Sequence, residues 1–132
     1  MAKRPLHERP LVLVVEDEPA LLMLSTEMLH EGGFIVLEAQ DADEAFEILK
    51  ARPNTRIVVT DVRMPGSLTG FEFAQLVNRG WPHLGLVVVS GGPGPKPGDL
   101  PPNARFLAKP FEPAELLHCV DELAAELLAE ED

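Results

Sequence analysis

Cysteine occurs once in these 132 residues, at Cys119, so no disulfide can close within the chain. Its place in an apolar helical pattern reads as a structural thiol of the core. Basic residues are scarce: 11 Lys and Arg stand against 22 Asp and Glu, for a formal charge of −11. Binding a nucleic-acid backbone needs a basic face that displaces phosphate counterions, so this balance argues against DNA or RNA as a partner. No apolar run approaches the roughly 20 residues that cross a bilayer. The basic opening segment from Met1 to Pro10 also lacks the apolar stretch of a secretory signal, and a cytoplasmic protein is expected. The four histidines, His7, His30, His83 and His118, are scattered and read as surface residues rather than metal ligands.

What the chain does contain is a length and a 45% hydrophobic content that suit one domain with a real core. Residues 1–8 are expected to be a flexible tail and 9–132 the domain. Apolar runs alternate with helical patterns, the signature of βα units and a parallel sheet. Strands are expected at 11–16, 34–38, 57–61, 86–90 and 104–108. A first helix opens near Pro19, which suits a first turn, presents Leu21, Leu24 and Met28 inward, and stops at Gly32-Gly33. Asp41-Ala42-Asp43-Glu44 has capping-box spacing and starts a second helix, with Ala42, Ala45, Phe46 and Leu49 on one face. A third runs from Gly70 to Asn78 with Phe73, Leu76 and Val77 inward. Pro113 opens a last helix whose Leu116, Val120, Leu123 and Leu127 repeat at helical spacing. One helix of the alternation is missing. Residues 91–103 hold five prolines and four glycines, which disfavour a helix and predict a loop with polyproline-like stretches in its place.

The ends of four apolar runs carry the chemistry. Asp61 follows Ile57-Val58-Val59-Thr60 and precedes Val62-Arg63-Met64-Pro65-Gly66, so its carboxylate sits where a buried strand meets a turn. Glu16-Asp17 follows Leu11 to Val15, Ser90 follows Leu86 to Val89, and Lys109-Pro110 follows Phe106-Leu107-Ala108. Taken singly, each has an ordinary structural reading: a solvated acidic turn, a cap, a buried hydroxyl, a surface lysine, a core phenylalanine. Acid pair, acid, hydroxyl and amine at successive strand ends can together hold a divalent cation and a phosphoryl group.

This ordered set resembles the receiver domains of two-component response regulators, similar to the single-domain chemotaxis type, over about residues 9–130. The resemblance implies a doubly wound, flavodoxin-like five-stranded parallel sheet of order 2-1-3-4-5, with the site at the switch point between strands one and three. It implies that Asp61 is the phosphoacceptor, that Glu16 and Asp17 belong to the Mg²⁺ site, and that the backbone carbonyl of Arg63 is a further metal ligand. Ser90 then matches the switch hydroxyl, Lys109 the phosphoryl-binding lysine and Phe106 the aromatic switch. The implied partners are a histidine kinase or histidine phosphotransfer protein and an output protein.

The chemistry of the residues is consistent with those roles. Carboxylate attack on a phosphoryl group meets charge repulsion, which Mg²⁺ on oxygen ligands relieves. Asp17 and Asp61 are the expected direct ligands, and the longer Glu16 is expected to act through water. Lys109 brings a point charge and Ser90 a hydrogen-bond donor, while Gly91 and Gly92 are expected to leave the approach to Asp61 open. Serine in place of the more frequent threonine loses a restraining methyl, and phenylalanine lacks the hydroxyl of tyrosine. The expected function is a phosphoacceptor switch rather than a turnover enzyme. Two other readings are a phosphorylation-independent, receiver-like interaction module and a Mg²⁺-dependent aspartyl-phosphate phosphatase of the haloacid dehalogenase type. The latter wants an aspartate where this chain has Arg63.

Overall fold

Four runs rich in valine, leucine and isoleucine, and a fifth around Phe106 and Leu107, become the strands of one parallel sheet, and the helices between them cover both of its faces. The computed structural model describes residues 9–63, 66 and 68–131, the side chains of the last four excepted. The expected tail at 1–8, and Met64 and Pro65 of the expected turn, lie outside these residues. The elements are β1 (Leu11–Val15), α1 (Pro19–Glu31), β2 (Ile35–Ala39), α2 (Ala42–Ala51), β3 (Thr55–Asp61), α3 (Gly70–Gly80), β4 (Gly85–Ser90), β5 (Ala104–Ala108) and α4 (Pro113–Glu131). The strand order is β2-β1-β3-β4-β5, with every pair parallel. β1 and β4 are buried along their whole length, which explains why their sequences are continuous apolar runs rather than alternating ones.

Successive strand residues point to opposite faces and feed two separate cores. Leu13, Val58 and Val88 pack with Ala45 and Leu49 of α2 and Phe73 and Val77 of α3. Val12, Val14, Ile57, Val59 and Val87 pack with Leu29 of α1 and Leu116, Val120 and Leu123 of α4. Cys119 joins the second core half-buried, and burial pushes its thiol pKa up, in keeping with a structural role. Among the described residues no helix is long and apolar enough to cross a membrane. His30, His83 and His118 are exposed, and His7 lies outside the described residues.

Two expected helix faces need correction. In α1, Leu24 is 52% exposed, whereas Leu29 is fully buried with Leu22 and Met28 packed beside it. The helix is apolar around most of its circumference, so periodicity alone fits more than one inward stripe. In α3, Leu76 is 37% exposed, and Phe73, Ala74 and Val77 form the buried face. Smaller shifts move β2 one residue later and carry α3 on to Gly80.

No helix forms between β4 and β5; residues 91–103 are a loop, as their composition predicts. The loop is nonetheless tied down. A turn closes on itself where Lys96 N–H donates to the Asp99 carboxylate at 2.8 Å and Asp99 N–H donates back to the Lys96 carbonyl at 2.9 Å. Gly98, at φ 89°, supplies the left-handed residue of that turn. Gln75 of α3 donates from Nε2 to the carbonyls of Gly98 at 2.9 Å and Asp99 at 3.1 Å. Leu100 packs against the core beside Ala104 and Phe106, so the loop covers sheet that a helix would otherwise cover.

Candidate functional site

β1 lies between β2 and β3, so the chain leaves β1 toward one side and later returns on the other. The crevice this opens at the carboxyl edge is where such sheets bind ligands. Strand register aligns the four ends there: Val15 pairs with Thr60, Asp61 with Val89 and Ser90 with Ala108. Backbone bonds carry the ladders one residue further, from Glu16 N–H to the Ala39 carbonyl, Val62 N–H to Val89 and Lys109 N–H to Ser90. Glu16, Asp61, Ser90 and Lys109, far apart in sequence, therefore share one edge.

Glu16 and Asp61 are each only 8% exposed and Ser90 4%. Lys109 places its ammonium 2.5 Å from Asp61 Oδ2 and 3.9 Å from Glu16 Oε1, which bridges the two buried carboxylates. The other Asp61 oxygen accepts the Arg63 N–H at 2.9 Å, and Glu16 Oε2 accepts the Glu18 N–H at 3.2 Å. Burial pushes the Glu16 carboxyl up to about 7, opposed by the Glu18 amide. The charge of Asp61 raises it further, Lys109 lowers it, and a hydrogen bond with Asp17 adds to the rise. Asp17 and Arg63 are exposed at the rim.

The Ser90 hydroxyl accepts the Gly92 N–H at 3.0 Å, so the first residues of the Pro-rich loop hang directly from this side chain. A Cβ at Gly91 would lie 3.7 Å from the Lys109 side chain and one at Gly92 3.7 Å from the Ser90 hydroxyl, so both glycines border the crevice beside these two residues. Phe106 is half-buried, its ring centroid 6.4 Å from that of Phe71 and its edge beneath Gly94.

For a divalent cation the donor types are suitable: the carboxylates of Glu16, Asp17 and Asp61 and the Arg63 carbonyl are hard oxygen ligands of the kind Mg²⁺ takes. Two buried carboxylates sharing one ammonium also leave negative charge to be balanced. Among the described residues no three acidic, histidine or cysteine side chains gather into a ready metal cluster. The fit therefore rests on donor chemistry and charge.

Sequence reading did not single out Thr69. Its hydroxyl accepts the Glu72 N–H at 3.2 Å while Glu72 Oε1 accepts the Thr69 N–H at 2.9 Å, a complete capping box at the start of α3. The signal was there in Thr69-Gly70-Phe71-Glu72, which has the required spacing. The Gln75 contacts with the loop, made across more than twenty residues, carried no such signal.

The family model for the response regulator receiver domain matches residues 12–98. The response regulator protein FleR of Pseudomonas aeruginosa is 32% identical over 112 residues, covering 83% of this chain and 23% of FleR. The sensor kinase CckA of Brucella abortus is 34% identical over 116 residues, covering 85% of this chain and 12% of CckA. The chain thus spans less than a quarter of the length of either relative. Among solved structures, a response regulator receiver protein from Sinorhizobium medicae superimposes with a TM-score of 0.84 at 28% identity, covering 92% of this chain and 98% of that one.

Proposed function

This chain belongs to the response regulator receiver domain family, and from that premise we propose that Asp61 accepts a phosphoryl group in two-component phosphorelay signalling. The donor is a phosphohistidine on a histidine kinase or phosphotransfer protein, and residues 9–132 form the receiver that then alters its contacts with an output protein. The observation that carries this reading is the position of Asp61: a buried carboxylate at the switch point of the sheet, bonded to Lys109 and facing Glu16 across the same ammonium.

An Asp61 oxygen attacks phosphorus as the bond from phosphorus to the donor imidazole nitrogen breaks, and the imidazole leaves with the electron pair. The Arg63 N–H bond to Oδ1 fixes the carboxylate plane during the approach. Lys109, already at Oδ2, is placed to follow the negative charge onto the phosphoryl oxygens. The Ser90 hydroxyl donates a hydrogen bond to the same oxygens, and this draws on the side chain from which Gly92 hangs. Glu16, Asp17, Asp61 and the Arg63 carbonyl would hold Mg²⁺, which when bound neutralises the phosphoryl oxygens and favours in-line attack. Receiver domains are phosphoacceptor switches rather than turnover enzymes, and this chain is read in the same way, acting in the cytoplasm.

The test is covalent. Mg²⁺ with acetyl phosphate, or with a phosphorylated kinase, is expected to add one phosphoryl group labile to hydroxylamine, and Asp61→Asn is expected to abolish it. Intact-mass and peptide mass spectrometry read the label; its appearance on another residue overturns the assignment.

A further inference from the structure

Gly70 occupies a place where a helix would normally favour another residue. It is the first residue of α3, buried, with no left-handed φ, so backbone conformation does not call for glycine there and alanine would be the better helix former. Space does call for it. A Cβ at Gly70 would lie 2.4 Å from the Asp61 carbonyl oxygen, 2.6 Å from Val62 Cα and 2.9 Å from the Asp61 carbonyl carbon. All three are backbone atoms, which cannot swing aside as the end of a side chain can.

The same contact is held from both directions. Gly70 N–H donates to the Val62 carbonyl at 2.8 Å, and Val62 N–H is bonded to Val89 of β4 at 2.9 Å. On the helix side, the capping box of Thr69 and Glu72 fixes the first turn that presses on Asp61. One residue beyond Val62, the Arg63 N–H orients Asp61 Oδ1. Displacing the Asp61–Val62 backbone would therefore move the carboxylate and the amide that aligns it together.

We infer that Gly70, clamped by the α3 capping box, is a positioning residue for Asp61: its missing side chain lets the helix start set the plane and depth of that carboxylate. The inference rests on the phosphoacceptor reading for its consequence, but its first readout does not. In the metal-free protein the Arg63 amide should carry the NMR signature of a bond to a carboxylate, a downfield proton shift and slowed exchange. Gly70→Ala should diminish both. With Mg²⁺ and acetyl phosphate, Gly70→Ala should label Asp61 about tenfold more slowly or worse, since small misplacements of a reacting group are costly. Gly80→Ala, in the same helix with open space around it, should label at the wild-type rate.

Glu72→Ala is the second probe, because Glu72 is exposed and its loss leaves the core untouched. It should slow labelling about threefold and speed exchange at the Arg63 amide, whereas Glu47→Ala, an equally acidic exposed site on α2, should do neither. A folded Gly70→Ala with a wild-type Arg63 signature and wild-type labelling overturns the inference. If Gly70→Ala does not fold, wild-type behaviour of Glu72→Ala overturns it instead. If wild type takes no label while Gly70→Ala still disturbs the Arg63 amide, the phosphoacceptor reading fails and the positioning inference stands.

Discussion

Lys109 and Asp61 are 48 residues apart in sequence, yet the ammonium of one lies 2.5 Å from a carboxylate oxygen of the other. The same ammonium reaches Glu16 Oε1 at 3.9 Å, so a single cation screens two buried acids. Replacing it exposes each acid to the other at short range. Lys109→Ala should therefore lower stability at pH 7 by about 1–3 kcal/mol without Mg²⁺, less than for a fully buried pair because Lys109 keeps some contact with water. Added Mg²⁺ should recover part of the loss. Urea melts with and without the ion measure both effects, and a loss that Mg²⁺ leaves unchanged contradicts this account of the charge balance.

Metal affinity should separate the acidic pair. With Asp17 proposed as a direct ligand and Glu16 as one acting through water, Asp17→Asn should weaken Mg²⁺ binding by roughly tenfold or more and Glu16→Gln by less. Titration calorimetry gives the two constants. Equal affinity in wild type and Asp17→Asn removes Asp17 from the metal site.

Glu16 also predicts a pH effect in the metal-free protein. Its folded pKa of about 7 lies above the ordinary 4.5 because burial disfavours the charged form. Below about pH 4.5 both folded and unfolded chains hold the proton, so its stabilising contribution is complete. That contribution is lost as pH rises toward 7, because the unfolded chain gives up its proton first. Glu16→Gln should consequently be close to neutral near pH 5 and more stable than wild type by about 1–3 kcal/mol at pH 8. Denaturation in EDTA at the two pH values tests this, and a constant difference between them would count against it.

The Pro-rich loop should respond to occupancy of the site. Gly92 hangs from the Ser90 hydroxyl, and Gly94 lies over Phe106. Drawing Ser90 toward a phosphoryl mimic pulls on the loop and opens space for the ring. Beryllofluoride with Mg²⁺ should change hydrogen exchange most within residues 90–108, and more than in α2. Gln75→Ala, which frees the carbonyls of Gly98 and Asp99, should speed exchange at 96–100 even without ligand. Unchanged exchange across 90–108 at saturating mimic excludes this coupling.

Much of the molecule was legible in the chain because its central strands, β1, β3 and β4, are almost wholly buried. A run such as Leu11 to Val15 or Leu86 to Val89 has few other places to go, and a turn or loop at its end marks the sheet edge. Once the strands were in sequence order, the residues at or just past their ends, Glu16, Asp61, Ser90 and Lys109, were already the candidate set. Proline chemistry likewise decided locally that 91–103 forms no helix.

Helix faces and side-chain partners were a different matter, since they depend on what packs opposite. Leu24 and Leu29 are equally apolar, and only the docking of α1 against the sheet and α4 selects Leu29 for burial. Tertiary structure alone brought the helix start at Gly70 into backbone contact with Asp61, set Lys109 between two acids, and tied the loop to Gln75. Local sequence determined the elements and which residues stand at their ends, because propensity and hydrophobic burial act over short stretches. Distances across the crevice came only with the register of β1, β3, β4 and β5, because contacts between residues tens of positions apart exist only once the strands are paired.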